Sequence, residues 1–153
     1  MKKNIRKITL EQLENITKKV VNEYFFVGGT VSDNVVNQYL ATALWSTNDN
    51  SDESGGEPLD RNYDISDIDA ASVKQARNDL TLFFQKAGNI LVRYPDKEQV
   101  AHDFWLTRNG HGAGFRDGDY EEEYGDGDKL TDIAKKFGTV DLYVGDDGVI
   151  YGD

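Results

Sequence analysis

The sequence contains no cysteine, and this absence excludes several kinds of site at once. Without thiols the chain can form neither a disulfide framework nor a thiolate zinc site, and it has no cysteine nucleophile. The basic N-terminal segment lacks the apolar core of a signal peptide. No run approaches the roughly 18 apolar residues that a membrane span requires. We therefore expect a cytoplasmic protein without membrane contact.

Basic residues are scarce, since 17 Lys and Arg stand against 28 Asp and Glu, for a net charge of -11. Residues 1–8 hold several of them and are expected to form a basic N-terminal tail. In two stretches, residues 46–69 and 117–128, nearly all the charged residues are acidic. Such a surface repels a phosphate backbone, so direct nucleic-acid binding is not expected. The charge instead favours a basic protein partner, although charged runs also serve solubility alone.

Recognisable catalytic motifs are missing as well. His102 and His111 are the only histidines, and no serine stands in a nucleophile-elbow pattern. Neither HExxH nor Walker-type spacing occurs. Asp103 is placed to orient a histidine as a general base, but a histidine becomes catalytic only through its partners and its pocket. We expect no enzymatic activity and no cofactor.

The second acidic stretch partly matches a calcium-binding loop. Asp117, Asp119 and Glu121 stand at the first, third and fifth places. The sixth place, which needs glycine for its sharp turn, is Glu122, and the twelfth is Asp128 rather than glutamate. We therefore expect a solvated loop and no metal.

Three helices are predicted before residue 95. The first covers about residues 10–25, behind a capping box formed by Thr9 and Gln12. The second begins at Ser32 or Asp33, and the third begins at Asp67 or Asp69 and ends before Pro95. Their apolar positions recur at three- and four-residue spacing: Leu10, Leu13, Ile16, Val20 and Tyr24, then Val35, Val36, Tyr39, Leu40, Ala43 and Leu44, then Val73, Ala76, Leu80, Phe83, Phe84, Ala87 and Leu91.

Residues 46–67 show no periodicity and are predicted to form a long acidic loop. They are rich in Asn, Asp, Ser and Gly, with Pro58 near the end. Loops of this length are uncommon inside a compact domain and usually carry function or have no fixed structure.

The segment 103–116, with the sequence DFWLTRNGHGAGFR, is predicted to be a β-hairpin. After a short helical linker at residues 97–101, a strand would point Phe104, Leu106 and Arg108 one way and Trp105 and Thr107 the other, and residues 109–112 would form the turn. Residues 113–116 would return as the partner strand. One interpretation makes Arg108, Asn109 and His111 polar contacts for a ligand or partner at the tip. The other assigns the glycines to turn geometry and the aromatic residues to the core.

A last helix is predicted from Asp128 to Gly138, followed by a second hairpin at residues 140–151. Taken together, the elements predict an α+β fold in one domain covering residues 1–153. Helices would cover one face of a small antiparallel sheet of about four strands, built from the two hairpins.

Five blocks of the chain resemble a family of small proteins encoded by tailed phages and prophages. They are HDFWLTRNGHGAGF, DKLTDIAKKFG and DLYVGDDGVIY, preceded by ATALWS and PLDRNYDISDI, and they lie between residues 35 and 151. Members of the family often carry an aromatic residue where this chain has Arg116. The resemblance implies a phage context and the cytoplasm of an infected bacterium, but no activity and no catalytic residues.

The phage context and the charge together lead to a functional hypothesis. Small acidic phage proteins often inhibit host enzymes, so we expect an accessory protein that binds a host defence or nucleic-acid-processing protein in a basic groove, by imitating DNA. The expected contact residues are Asp49, Asp52, Glu53, Glu57, Arg108, Asn109, His111, Asp117, Asp119, Glu121, Glu122 and Glu123. Two alternatives remain: a small ligand-binding or catalytic domain using Arg108, Asn109 and His111, and a virion or assembly component.

Overall fold

The computed structural model of the chain describes residues 8–51 and 56–153. Within these ranges the structure is α+β. The helices are α1 (Leu10–Phe25), α2 (Asp33–Ser46), α3 (Ala70–Leu91), α4 (Lys97–Arg108) and α5 (Asp126–Lys135). The strands are β1 (Phe26–Val27), β2 (Thr30–Val31), β3 (Leu142–Val144) and β4 (Ile150–Gly152), and 3-10 turns lie at Leu59–Arg61, Ile65–Asp67 and Glu122–Tyr124. None of the described helices is long and apolar enough to cross a membrane.

The first three predicted helices are confirmed, together with two of their caps. The backbone N–H of Thr9 donates to Gln12 Oε1 at 3.0 Å, and that of Gln12 donates to Thr9 Oγ1 at 3.1 Å, which completes the capping box of α1. At the start of α3, the Asp69 carboxylate accepts from the backbone N–H groups of Ala71 and Ser72. These local signals are readable because each involves residues within three positions of one another.

The long helix α3 lies at the centre of the hydrophobic core. Its inward side chains include Phe83 and Phe84, which have no exposed surface. The Phe83 ring stacks on Phe104 at a centroid distance of 4.3 Å and on Phe115 at 5.6 Å. Burial of one such side chain contributes about 1.5–3 kcal/mol, and aromatic pairs add roughly 0.5–1.5 kcal/mol. The segment 103–116 is therefore held in place through α3.

The predicted hairpin at residues 103–116 is wrong. Residues 97–108 form one helix, α4, whose N-terminal cap is Asp96, accepting from the backbone N–H of Gln99 at 3.0 Å. All six residues from Asp103 to Arg108 are buried. Because no side of this segment faces solvent, the order of its polar and apolar residues shows no reliable period. The expected short linker at 97–101 is the first part of this helix.

The residues expected to form the hairpin turn instead end α4. Gly110 has a φ of 73°, and its backbone N–H donates to the Thr107 carbonyl at 3.2 Å. The next N–H, of His111, donates to the Leu106 carbonyl at 2.9 Å. This pair of bonds is a Schellman motif, which uses the same glycine chemistry as a hairpin turn. Residues 113–116 follow as a loop.

The four strands form two separate two-stranded antiparallel sheets. In the first, Phe26 pairs with Val31 across a turn in which Gly28 and Gly29 have φ values of 61° and 84°. This hairpin was missed, because the two glycines were interpreted only as a helix break. The predicted C-terminal hairpin is confirmed, with Val144 opposite Ile150. The predicted number of strands is roughly right, whereas a single sheet covered by helices is wrong.

The acidic segment at residues 46–67 has more structure than predicted. Residues 47–49 are joined to residues 57–59. The backbone N–H of Asp49 donates to the Glu57 carbonyl at 2.8 Å, and that of Leu59 donates to the Thr47 carbonyl at 2.9 Å. Leu59 is buried in the core. The expected contact residues Asp52 and Glu53 lie outside the described residues, as do residues 1–7 of the predicted basic tail. The last helix, α5, begins three residues earlier than predicted, because Gly125 rather than Asp128 takes the N-cap position.

Candidate partner-binding surface

Helix α4 anchors both acidic segments. The indole N–H of Trp105 donates to Ser46 Oγ at 2.7 Å, directly before residues 47–58, which we call the first acidic loop. Asp103 Oδ2 accepts from the hydroxyl of Tyr120 at 2.6 Å, within residues 117–123, which we call the second acidic loop. Helix α4 therefore contacts the residue that precedes the first acidic loop and a residue within the second, although the two loops are far apart in the sequence.

The second acidic loop is fixed on both sides by hydrogen bonds to the body of the protein. On its N-terminal side, Phe115 is buried, and its backbone N–H donates to Thr107 Oγ1 at 3.0 Å. On its C-terminal side, the backbone N–H of Glu121 donates to the hydroxyl of Tyr94 at 2.8 Å. Its carboxylates are all exposed: Asp117, Asp119, Glu121, Glu122 and Glu123. In the part of the chain that the structure describes, no ion pair involves any of these five.

Asp126 fixes the end of this loop to the body. Its side chain has no exposed surface and accepts two bonds from Arg93, at 2.6 and 3.1 Å, and one from the Tyr94 hydroxyl at 2.5 Å. Burial by itself raises the pKa of Asp126, but the hydrogen bonds and charge of Arg93, with the Tyr94 bond, lower that pKa below its ordinary value overall. The carboxylate is therefore charged at neutral pH.

Asp103 is the second buried carboxylate that supports the loop. Besides Tyr120, it accepts from Gln99 Nε2 at 3.0 Å, and His102 Nδ1 lies 3.1 Å from its Oδ1. Burial, and then the hydrogen bond to Asp103, raise the pKa of Tyr120 far above its ordinary value, so Tyr120 stays a neutral donor. On the other side, the His102 ring stacks against the exposed Trp45 at a centroid distance of 6.2 Å.

A cleft of about 480 Å³ opens between the start of α4 and the second acidic loop. Its lining includes aromatic and acidic residues: Tyr94, Asp96, Asp103, Asp117, Asp119 and Tyr120. Chemically, such a lining suits a cationic or hydrogen-bond-donating group. The described residues contain no group of three or more His, Asp or Glu side chains that could hold a metal ion.

Arg108, expected at an exposed turn, is a core residue with 5% of its surface exposed. Its guanidinium donates to Asp79 Oδ2 at 2.8 Å, to the Tyr39 hydroxyl at 3.0 Å, and to the carbonyls of Gly138 and Phe137 at 2.9 and 3.1 Å. Burial raises the pKa of Tyr39 to about 12, so its phenol stays neutral beside this pair. Arg108 therefore joins α4 to α2, to α3 and to the segment that follows α5.

Asn109 and His111 do not form a site with Arg108. Asn109 donates through Nδ2 to the Trp105 carbonyl at 3.0 Å and accepts through Oδ1 from the backbone N–H of Val140 at 2.8 Å. His111 is exposed and lines a separate cleft of about 270 Å³. The predicted hairpin would have placed the three residues together at its tip, whereas the end of the helix places them in different surroundings.

The described carboxylates of the first acidic loop differ in their surroundings. Asp49 is half-buried, and its Oδ1 accepts from the backbone N–H of Ser51 at 2.9 Å. Glu57 is exposed. The first acidic loop therefore presents at least one exposed carboxylate at its closed neck.

Sequence reasoning missed the residues that fix the second acidic loop, namely Arg93, Tyr94, His102, Tyr120 and Asp126. The available signal was the presence of Tyr120 and Tyr124 within an otherwise charged run, since tyrosine combines an apolar ring with a polar end. The hydrogen-bonded pairs Asp103–Tyr120 and Arg93–Asp126 are separated by 17 and 33 positions along the chain, and no local pattern encodes such pairs.

The chain was also compared with known proteins. No family model, curated protein or solved structure matches it. The phage origin therefore stays a prediction from the resemblance.

Proposed function

We propose that the chain is a non-enzymatic binding protein that places its acidic loops in a basic groove of a partner protein. The observation that carries this proposal is the second acidic loop. Its exposed carboxylates have no ion-pair partner among the described residues, yet the loop is fixed by two buried carboxylates and two tyrosines. A loop with free charges and fixed ends needs little ordering when it binds.

The charge and the rigidity of the loop together suit a protein groove that binds nucleic acid. Negative charges held in a row attract a groove lined with lysine and arginine, and they raise the rate of association at low salt. Since the loop is fixed in advance, its carboxylates present a defined spacing, as the phosphates of a nucleic acid do. We propose that the partner is a defence or nucleic-acid-processing protein of a bacterial host and that the chain inhibits it by occupying this groove.

The cellular setting of the proposal comes from the resemblance to phage proteins. It implies expression in the cytoplasm of an infected bacterium, where host nucleases and defence complexes are encountered. We also propose that residues 1–153 act as one domain, supported by the hydrophobic cluster that includes residues from Phe25 to Ile150.

A charge-matched pair of variants tests the proposal. The loop variant carries Asp117→Asn, Asp119→Asn, Glu122→Gln and Glu123→Gln. The control variant removes the same four charges from exposed positions elsewhere, with Asp132→Asn, Asp141→Asn, Asp146→Asn and Asp153→Asn. We expect the wild type and the control variant to retain a host protein in affinity capture, and the loop variant to lose it.

Salt and competing DNA then separate the parts of the mechanism. We expect the partner to elute as salt rises, and to be displaced by excess duplex DNA. Retention at about 1 M salt, where the Debye length is about 3 Å, would reject the electrostatic contact. Displacement by salt but not by DNA would reject DNA mimicry and leave a different acidic-loop partner.

A second function is favoured by the 480 Å³ cleft, which is large enough for a small ligand. This cleft replaces the expected pocket of Arg108, Asn109 and His111, because the structure does not place these three residues in a common cavity. A thermal-shift screen of cationic metabolites is the test, because a ligand at a hundred times its Kd stabilises the fold by about 2.7 kcal/mol. A true cleft ligand loses affinity in Tyr120→Phe, whereas no stabilisation by any compound would reject this function.

A further inference from the structure

A cleft of about 270 Å³ lies beside the loop that follows α4 and the end of α5, and we call it the glycine cleft. Its lining includes three glycines, the exposed histidine and two basic side chains: Gly110, Gly112, Gly114, His111, Arg116 and Lys135. Such a lining is unexpected in a chain with a net charge of -11. The glycine-rich segment 110–114 takes no part in the acidic-loop contact proposed above, so its composition calls for a separate explanation.

The main chain of this segment has unused hydrogen-bond donors. Gly114 is buried, yet its backbone N–H has no acceptor among the described residues. The backbone N–H of Gly112 has none there either. Buried N–H groups in native proteins are nearly always paired with protein, water or a ligand. The N–H of Gly114 therefore requires an acceptor from outside the described part of the chain.

A buried side chain adds a further donor. Thr107 lines the glycine cleft with only 6% of its surface exposed. Its Oγ1 accepts from the backbone N–H of Phe115 at 3.0 Å, while its own hydroxyl hydrogen has no acceptor in residues 8–51 and 56–153. A threonine hydroxyl can donate and accept at the same time. The glycine cleft therefore combines main-chain and side-chain donors.

The charges at the cleft favour an anion as the missing acceptor. Lys135 is exposed and forms no ion pair within the described residues. Arg116 donates from Nε to Asp128 Oδ1 at 3.1 Å, but both side chains are more than half exposed, so this pair is weak and easily exchanged. Among the described lining residues, Asp117 is the one carboxylate. The two cations and the unused donors outweigh it.

We propose that the glycine cleft binds the phosphate group of a small phosphorylated molecule. A phosphate offers several acceptor oxygens and a negative charge, so it can take main-chain donors, a hydroxyl and cations together. Glycine, which has no side chain, lets such a group approach the backbone closely. The volume is close to the roughly 300 Å³ at which ligand pockets begin. Because the acidic surface around the cleft repels a polyanion, a small molecule fits better than a nucleic acid.

Titration of the isotope-labelled chain, followed by NMR at constant ionic strength, tests this site independently of any partner protein. The probes are inorganic phosphate and glycerol phosphate, with sodium chloride as the reference salt. We expect glycerol phosphate to shift the amide signals of Gly112 and Gly114 to saturation, and to leave those of Gly28 and Gly29 unchanged. Saturation by inorganic phosphate alone would overturn the assignment to a phosphorylated molecule. The absence of saturable shifts would overturn the site itself.

Two neighbouring lysines provide a matched pair of variants. Lys135→Gln and Lys136→Gln remove the same charge from exposed positions at the end of α5, but Lys136 does not line the cleft. We expect Lys135→Gln to raise the Kd for glycerol phosphate about fivefold, as the loss of one exposed charge contact does, and Lys136→Gln to leave it close to that of wild type. Equal weakening by both would indicate general electrostatic attraction and overturn the specific site. Tighter binding of a single-stranded oligonucleotide than of glycerol phosphate would overturn the choice of a small molecule.

Discussion

At the scale of single residues, the two buried carboxylates Asp103 and Asp126 do more for the proposed surface than the exposed ones. A buried charge is costly unless it is paired and hydrogen-bonded, and both side chains are fully provided with donors. Their donors include Tyr94, which also accepts from the backbone N–H of Glu121, and Tyr120, which belongs to the second acidic loop itself. The exposed charges are therefore presented by interior hydrogen bonds.

Asp126→Asn is expected to destabilise the fold by about 2 kcal/mol at pH 7, since it removes the charge-assisted bonds to Arg93 and Tyr94. Because the pKa of Asp126 is lowered in the folded state, its contribution is present above the ordinary carboxyl pKa of about 3.9 and is lost as the pH falls through the folded pKa. Urea titrations between pH 3 and pH 7 should show the gap to wild type closing at the acid end. Asp132→Asn, at an exposed position, is the control and should show no such gap.

The variants Arg108→Met and His111→Ala distinguish two residues that the hairpin prediction placed in the same exposed turn. Removing Arg108 leaves the Asp79 carboxylate and the Tyr39 hydroxyl without their buried partner, which costs about 3–5 kcal/mol. His111 is exposed, and its truncation should change stability by no more than about 0.5 kcal/mol. Chemical denaturation measures both. Equal effects would contradict the buried position of Arg108.

At the scale of elements, α4 decides the architecture. Val100, Phe104 and Arg108 recur at four-residue spacing, a helical signal that was overlooked because Trp105 and Thr107 also gave an alternating pattern. Both periods fit a segment that is buried on every side. The packing of Phe104 and Trp105 against Tyr39 of α2 selects the helix, and local propensity does not.

The loop after α4 provides a test of how closely it packs on that helix. A Cβ at Gly114 would lie 2.2 Å from Thr107 Oγ1, which accepts from the backbone N–H of Phe115. Gly114→Ala is therefore expected to cost about 1–3 kcal/mol through overpacking. Gly112→Ala, in the same loop with no atom within 4 Å of its Cβ, should be close to neutral in thermal denaturation. The opposite order would contradict the position of this loop.

At the scale of the whole molecule, the net charge of -11 lowers stability while it serves the proposed contact. The four-site loop variant should be more stable than wild type at low salt, because the carboxylates repel one another and have no ion-pair partner among the described residues. The difference should shrink as salt rises and the Debye length falls from about 30 Å at 0.01 M to about 10 Å at 0.1 M. Calorimetry at several salt concentrations measures it. A less stable loop variant would show that these charges are structural.

The elements that the sequence determined by itself are those with local signals. Helices α1, α2 and α3 follow from caps and from one-sided apolar spacing, and the C-terminal hairpin follows from the turn at residues 145–148. The acidity of both loops is equally a property of the sequence. Each of these features depends on residues close together in the chain, so elementary rules suffice.

Tertiary structure decided the identity of α4, the separation of the strands into two sheets, and the positions of Arg108, Tyr94 and Tyr120. The second half of α4, residues 103–108, has no solvent face to reveal its period, and partners separated by 17 to 69 positions leave no local pattern. Helix α1 shows the converse. Its spacing predicted a helix correctly, but only the fold reveals that its apolar side chains Leu10, Leu13 and Ile16 are exposed.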